Sequence, residues 1–325
     1  MKTFSLGSSQ DRDLVIPGEF LSALHCVLER RGPGLRVHDQ GSRNGTFFGD
    51  RRETVFDLRP GETFTAASIR FLAMNDEMRA AYPTLVDILG GEDEHSLRSA
   101  GDVPTSPSDL IVAATLGGNL LITGEPGCEQ DRLAHTIHAI SLRRTRPIVE
   151  LGQVPDDRTQ QRAIIDRAAR STLLLAIEPK SQVIETTFCS MIFSSSFQIR
   201  VLALAPSIAK ASDVLGDATV RPMQHVWLRP LAQRPGAIHL LLDHAFAERG
   251  APLRVSDLSD VNREALHAYS WPDNFTGLRV AADRLVVLAR AGSLRRAAEA
   301  LHIGVSTLHY WLNQVGLTLP LVVAG

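Results

Sequence analysis

The periodicity of the chain changes near Ser108, and that change constrains the fold more than any other feature. From Thr3 to about Met74, short apolar or alternating runs are broken by Gly, Pro, Asn and Asp: Phe4 and Leu6, Leu14 to Ile16, Cys26 to Leu28, Leu35 to Val37, Thr46 to Phe48 and Ile69 to Leu72. Runs this short at even spacing predict an all-β sandwich. Past Ser108, apolar strands alternate with helices. Leu120 to Ile122, Leu173 to Ile177 and Ile199 to Ala205 read as strands of a parallel α/β sheet, and Leu133, Ile137 and Ile140 mark the helix after the first. Beyond Pro230 the pattern is helical over Ile238 to Phe246, Asp260 to Tyr269 and Leu278 to Leu288. Ser293 to Leu317 is a pair of short helices hinged at His302 to Val305. Gly90 to Pro107 mixes Gly, Ser, Pro and acidic residues without periodicity, as a linker does.

Composition narrows the function classes. The length of 325 residues fits two or three domains, and 34 Lys plus Arg against 36 Asp plus Glu give a formal charge of -2. Bulk charge therefore does not mark a nucleic-acid binder, and any such site must be a local patch. Lys2, Lys180 and Lys210 are the only lysines, which matters wherever a site requires one. Cys26, Cys128 and Cys189 show no metal-ligand spacing, so a reducing compartment and no metal site are expected. Met1 to Gly7 is not a basic segment leading into an apolar core, and no apolar run approaches the roughly 18 to 20 residues of a membrane span. A cytoplasmic protein without a membrane partner is expected.

Gly7, Ser22-x-x-His25 and Ser42-Arg43-Asn44-Gly45-Thr46 follow one another in the β-type region. This order resembles the forkhead-associated (FHA) domain, a sandwich that binds phosphothreonine peptides through the loops at one end. A phosphate needs convergent donors, and a peptide main chain needs an amide that donates and accepts. The resemblance implies that Ser22 donates to the phosphate, Ser42 and Arg43 flank it, Asn44 holds the peptide, and His25 buttresses the loops. Two cations of the family are missing, since Ser8 and Ala23 stand where Arg is usual. Arg12 or Arg43 would have to substitute; otherwise Asn44-Gly45 is a hairpin turn and His25 a core contact.

Asn119-Leu-Leu-Ile-Thr-Gly124-Glu-Pro-Gly127-Cys-Glu-Gln130-Asp131 sets a Gly-containing loop between a strand and a helix, as phosphate binding requires. The segment, with Ile137-His138, Ser141-x-Arg143-Arg144 and Trp271-Pro272-x-Asn274, resembles the sigma-54-interacting AAA+ domains of bacterial enhancer-binding proteins. Gly124, Gly127, Gln130 and Asp131 would be the nucleotide-binding positions. The chemistry has been lost at them. The Walker A Lys is Gln130, the preceding Gly is Glu129, and the Walker B acids are replaced by Ala176 and Ile177, with Glu178 one residue late and so on the other face of its strand. The sensor Arg after Trp-Pro-x-Asn aligns with Thr276, and the Gly-Ala-Phe-Thr-Gly-Ala loop that contacts sigma-54 does not occur. Neither ATP hydrolysis nor sigma-54 contact is expected, and no cofactor is implied. The alternative retains nucleotide binding through Thr123, the two glycines and the helix amino terminus.

The last unit, with Ala297-Ala298 and apolar Leu301, Ile303, Leu308 and Leu312, resembles the Fis-type helix-turn-helix. The resemblance implies a DNA-binding surface of Arg295, Arg296, Ser306, Thr307, His309, Tyr310 and Asn313, the second helix entering the major groove. That helix has no Lys or Arg, and phosphate neutralisation dominates affinity for DNA. The competing reading makes Tyr310 and Trp311 a dimer or partner surface.

The expected chain is thus multidomain: an FHA sandwich over 1–76, a linker over 77–107, a degenerate AAA+ P-loop-like α/β unit over 108–228, its helical lid over 229–290 and a small all-α helix-turn-helix over 291–325. The function expected of it is a phosphorylation-linked transcriptional regulator that is not an enzyme, with a phosphothreonine protein, DNA and a second copy of itself as partners. The alternative is a scaffold that never touches DNA.

Overall fold

A computed structural model describes residues 2–89 and 106–322. Nine strands build the first unit: β1 (Thr3–Gly7), β2 (Leu14–Val15), β3 (Cys26–Arg31), β4 (Gly34–Asp39), β5 (Thr46–Phe48), β6 (Arg51–Arg52), β7 (Val55–Leu58), β8 (Thr63–Ala66) and β9 (Ile69–Leu72). They form two sheets, ordered β2-β1-β3-β4-β7 and β6-β5-β8-β9. Alternation drives the packing: Leu6, Leu28, Val37, Leu58, Phe64 and Ala66 turn inward to a shared core. Phe48, Phe56, Phe64 and Phe71 run through it as successive ring contacts at 5.3, 6.0 and 4.9 Å.

The chain then enters α1 (Asp76–Leu89), and α2 (Pro107–Leu116) opens the second unit. The expected linker over 77–107 is therefore wrong for residues 77–89. Met78, Leu85 and Ile88 share one face of α1 and join the core beneath the α/β sheet, and that burial outweighs Pro83 inside the helix. Helix α1 ties the units together: Glu77 pairs with Arg144, Asp87 with His244 at 2.8 Å, and Ile88 O accepts from Arg234 at 2.6 Å. Residues 90–105 of the expected linker lie outside the described residues.

The second unit continues as β10 (Leu120–Gly124), α3 (Gln130–Ile140), β11 (Ile148–Leu151), α4 (Arg158–Ala168), β12 (Thr172–Ala176), α5 (Thr186–Ile192), β13 (Arg200–Ala205), α6 (Ile208–Leu215), α7 (Asp217–Val220) and β14 (Gln224–Leu228). Its strands are parallel in the order β11-β12-β13-β10-β14. On β10, Leu120 and Ile122 face the α1–α3 core and Leu121 faces the core under α4–α6, so both faces are covered. The chain leaves β10 toward β11 on one side and β13 toward β14 on the other. The crevice at the carboxyl ends of β10 and β13 is thus the topological switch point where ligands of such sheets bind.

The sandwich docks on the foot of this unit. Arg70 pairs with Asp109 at 2.8 Å, and Gly61, at φ +89°, lies against the Thr115 side chain so closely that a Cβ would overlap it. Gly61→Val adds both this clash and a strained backbone, about 1–3 kcal/mol for the dihedral alone. It is expected to free the sandwich from α2 while leaving its own sheets intact, read as faster hydrogen exchange confined to α2 and the β7–β8 turn.

Helices α8 (Ile238–Glu248), α9 (Asp260–Ala268) and α10 (Asn274–Ala291) form the lid, and α11 (Leu294–Ala300) and α12 (Val305–Val315) the tail. The expected boundary between them at 290/291 does not separate two cores. Ala297, Leu308, Trp311, Leu312 and Val315 share one cluster with Leu242, Phe246, Leu266, Leu278 and Leu285. Fully buried Asn262 fastens the return of the chain: its amide donates to Thr318 O and Leu321 O, and its Oδ1 accepts from Thr318 N at 2.8 Å. Among the described residues no helix is long and apolar enough to cross a membrane.

Candidate functional sites

Three loops meet at one end of the sandwich. Buried His25 joins two of them: its Nδ1 accepts from Ser22 N at 3.3 Å, so Nε2 carries the proton and donates to Gly45 O at 3.1 Å. Arg43 N donates to Ser22 Oγ at 3.1 Å, and Asn44 Nδ2 donates to Phe20 O at 2.8 Å. Ser22, Arg43 and Asn44 are therefore brought together, with Arg43 and Asn44 exposed. The Arg43 guanidinium makes no ion pair among the described residues.

Two expected members are engaged in other contacts. Ser42 is buried and its hydroxyl donates to Asp39 at 2.5 Å, because that carboxylate gathers Ser42 N, Ser42 Oγ and Thr46 Oγ1 to hold the turn. Burial pushes the Asp39 carboxyl up, and these hydrogen bonds outweigh it, holding it below the usual carboxylate range. Arg12 is paired with Asp11 at 2.5 Å, and its Nε is buried with no hydrogen-bond partner among the described residues. Ser8, at a usual Arg position, donates its hydroxyl to Leu21 O and supplies no charge.

At the switch point the side chains close the crevice themselves. Gln130 Nε2 donates to Ala205 O at 2.8 Å and to Gly124 O at 3.2 Å, bridging the ends of β13 and β10. Glu129 caps α3 at φ +67°, and its carboxylate receives both Arg279 terminal nitrogens at 3.0 and 2.8 Å, with Arg132 at 3.4 Å. This pair links the sheet unit to α10 of the lid. Gly127 is pressed onto the lid: its carbonyl accepts from Phe275 N at 3.0 Å, and a Cβ there would collide with Asp273 O. Buried Asn274 explains the Trp-Pro-x-Asn motif, since its amide donates to Pro126 O at 3.1 Å while Oδ1 accepts from Leu231 N at 2.8 Å. Asp131 lies in the first turn of α3 near His135, and Gly124 ends β10 as a buried strand residue. What is left is a cleft of about 430 Å³ lined by Gly127, Glu129, Gln130, Asp131, Arg132, Leu204 and Arg279. Arg279 was missed in the sequence, although a carboxylate at a Gly position of such a loop asks for a cationic partner.

On the tail, Arg295, Arg296, Ser306, Thr307, His309, Tyr310 and Asn313 are all exposed. The α12 face is polar and internally bonded, His309 to Asn313 at 3.2 Å and Gln314 to Tyr310 at 3.1 Å. Trp311 is not part of that face. It is 8% exposed in the shared core, with the Arg284 guanidinium 4.9 Å from its ring centroid.

Residues 4–66 match the family model of the FHA domain. This stretch is an FHA domain. Its solved likenesses include the FHA-2 domain of the Mycobacterium tuberculosis ABC transporter Rv1747, at 30% identity over 23% of this chain and 68% of that one, with a TM-score of 0.21. Another is the FhaA FHA domain complexed with the intracellular domain of Rv3910, at 20% identity over 22% and 77%, TM-score 0.21. NtrX from Brucella abortus in complex with ADP is similar at 18% identity over 68% of this chain and 70% of that one, TM-score 0.45. No curated protein sequence matches the chain.

Proposed function

We propose that the chain is a phosphorylation-linked regulator of transcription in which an FHA domain reads a phosphothreonine protein and a helix-turn-helix tail contacts DNA, carried on an AAA+-derived body that no longer hydrolyses ATP. The observation that carries the phosphothreonine half is the convergence of Ser22, Arg43 and Asn44 at the loop end of the sandwich, where the Arg43 backbone N–H meets the Ser22 hydroxyl and the exposed Arg43 side chain makes no ion pair among the described residues. A structure of an FHA domain solved for phosphothreonine-dependent interactions is among its likenesses. The loss of hydrolysis is supported by Gln130 and Glu129, which fill the crevice with side-chain contacts and bring a carboxylate where phosphate would sit.

Titration of the full chain with a phosphothreonine peptide library against its unphosphorylated counterpart tests the first half. Binding is expected only to phosphorylated peptides. Arg43→Ala removes a charge-assisted contact of about 1.5–3 kcal/mol, an order of magnitude or more in Kd, with Ser22→Ala smaller. Absence of any phosphate-dependent binding by the parent chain defeats the reading. Phosphate release from ATP with magnesium is expected to stay at background.

The scaffold reading is favoured by one observation, the lack of any Lys or Arg on α12. Mobility shift of random and genomic duplexes decides it. Arg295→Glu with Arg296→Glu should abolish a shift that depends on the tail, and absence of any shift with the parent chain favours the scaffold.

A further inference from the structure

The near-zero net charge conceals a positive pole at the amino-terminal edge of the parallel sheet. Arg143, Arg144, Arg146, Arg167, Arg170 and Arg221 gather there, in loops that hydrogen bonds make contiguous. The Arg143 guanidinium donates to Gly117 O at 3.4 Å and Gln198 O at 3.0 Å. Arg146 N donates to Arg143 O, Arg170 N to Phe197 O, and Gln224 N, three residues past Arg221, to Asn119 O. Among the described residues these six make one ion pair, Arg144 with Glu77 at 3.5 Å. Arg146, Arg167, Arg170 and Arg221 are exposed and, among the described residues, make no ion pair.

The same rim exposes two leucines. Leu116 ends α2 and Leu142 follows α3, each 76% exposed, and the Arg143–Gly117 hydrogen bond joins the loops that carry them. Helix carboxyl termini attract cations, at about 0.3–1 kcal/mol each, and that accounts for Arg167 in the last turn of α4. It does not account for arginines beyond the helix ends, nor for solvent-facing leucines on the same rim.

We propose that this rim is a docking surface for an acidic polypeptide segment carrying apolar side chains. The carboxylates would meet the guanidinium forks, and the apolar side chains would cover Leu116 and Leu142. Exposed apolar side chains beside arginine are the composition of protein interfaces. A DNA backbone would use the arginines but offers phosphate and sugar where the leucines need an apolar surface. The proposal stands independently of the phosphothreonine and DNA readings, since it uses neither the sandwich loops nor the tail.

Fluorescence anisotropy with the full chain tests it, using as probes a labelled peptide of about 20 residues built from Glu and Ala with Leu at helical spacing, labelled poly-glutamate, and a labelled random duplex. The leucine-containing peptide is expected to bind, and both Arg146→Glu with Arg170→Glu and Leu142→Asp are expected to weaken it about tenfold or more. All three positions are exposed, and Leu116→Asp replaces Leu142→Asp if the latter lowers the melting temperature. Failure of the peptide to bind, equal binding of poly-glutamate, or loss with the arginine variant alone overturns the proposal. Tight duplex binding that survives Leu142→Asp and is lost in the arginine variant assigns the rim to nucleic acid instead.

Discussion

Arg200→Met is expected to destabilise the full chain by about 4 kcal/mol, although it keeps the apolar stem and removes no ion pair. Arg200 opens β13, is 1% exposed and, among the described residues, has no carboxylate partner. Its guanidinium instead donates to Gly118 O at 3.0 Å and to Ala114 O and Ala113 O at 2.9 Å, the unsatisfied carbonyls at the carboxyl end of α2. Burial, with a smaller contribution from nearby Arg143, pulls its pKa down to about 10, which leaves it a cation at neutral pH. Methionine would strand two buried acceptors, Ala113 O and Ala114 O, at roughly 1–3 kcal/mol each and return the more exposed Gly118 O to water. Lys retains the charge but cannot reach three carbonyls at once, so Arg200→Lys should fall between. Calorimetric unfolding is the measurement, and a loss under about 1 kcal/mol for the Met variant would contradict this account.

How far the fold could be read follows the strength of local patterns. Strands that turn one apolar face inward were legible, as were the buried runs of β10, β12 and β13. Arg51–Arg52 carries no apolar signal at all, and Val55–Leu58 blurs its alternation because apolar Val55 lies on the outward face with Asp57. Edge strand β14 hid for the same reason, with Trp227 half exposed and only Val226 and Leu228 buried. Helix α1 did carry a signal in the spacing of Met78, Tyr82, Leu85 and Leu89, but Pro83 spoke against it locally. Contact with a sheet that lies later in the chain decided between them, and no window of sequence contains that contact.

The sites divide similarly. Ser22, Arg43 and Asn44 converge because two backbone segments are pinned by His25, and the residue order alone announced that convergence. Ser42 sits in the same motif, yet its role depends on Asp39, three residues earlier, and a motif cannot say which way a hydroxyl turns. At the switch point Glu129 and Gln130 were visible in the sequence. What they do instead was not, because Glu129 meets a partner 150 positions away in sequence.

That partner makes Glu129→Arg the most informative variant of the body. Glu129 is 9% exposed, while Arg279 and Arg132 are 45% and 34% exposed, so the carboxylate is the shielded member and the guanidinium groups are hydrated. Removing the charge alone, as in Glu129→Gln, should therefore cost about 1–2 kcal/mol, more than an exposed pair and less than a buried one. Reversal sets a third cation between two others and should cost about 3 kcal/mol, spent on separating α10 from the Gly124–Gln130 loop. Hydrogen exchange should then rise at Phe275 N, whose acceptor is Gly127 O across that junction, while β10 and β13 stay protected. Because the tail shares the core of the lid, the loosening should leave α11 and α12 protected and move them as one piece with it. Adding Arg279→Glu to Glu129→Arg restores opposite charges and should recover most of the loss, which a merely steric effect of the larger side chain would not allow. If exchange at Phe275 is unchanged in the single variant, the junction is held by Asn274 and the Gly127 contact alone.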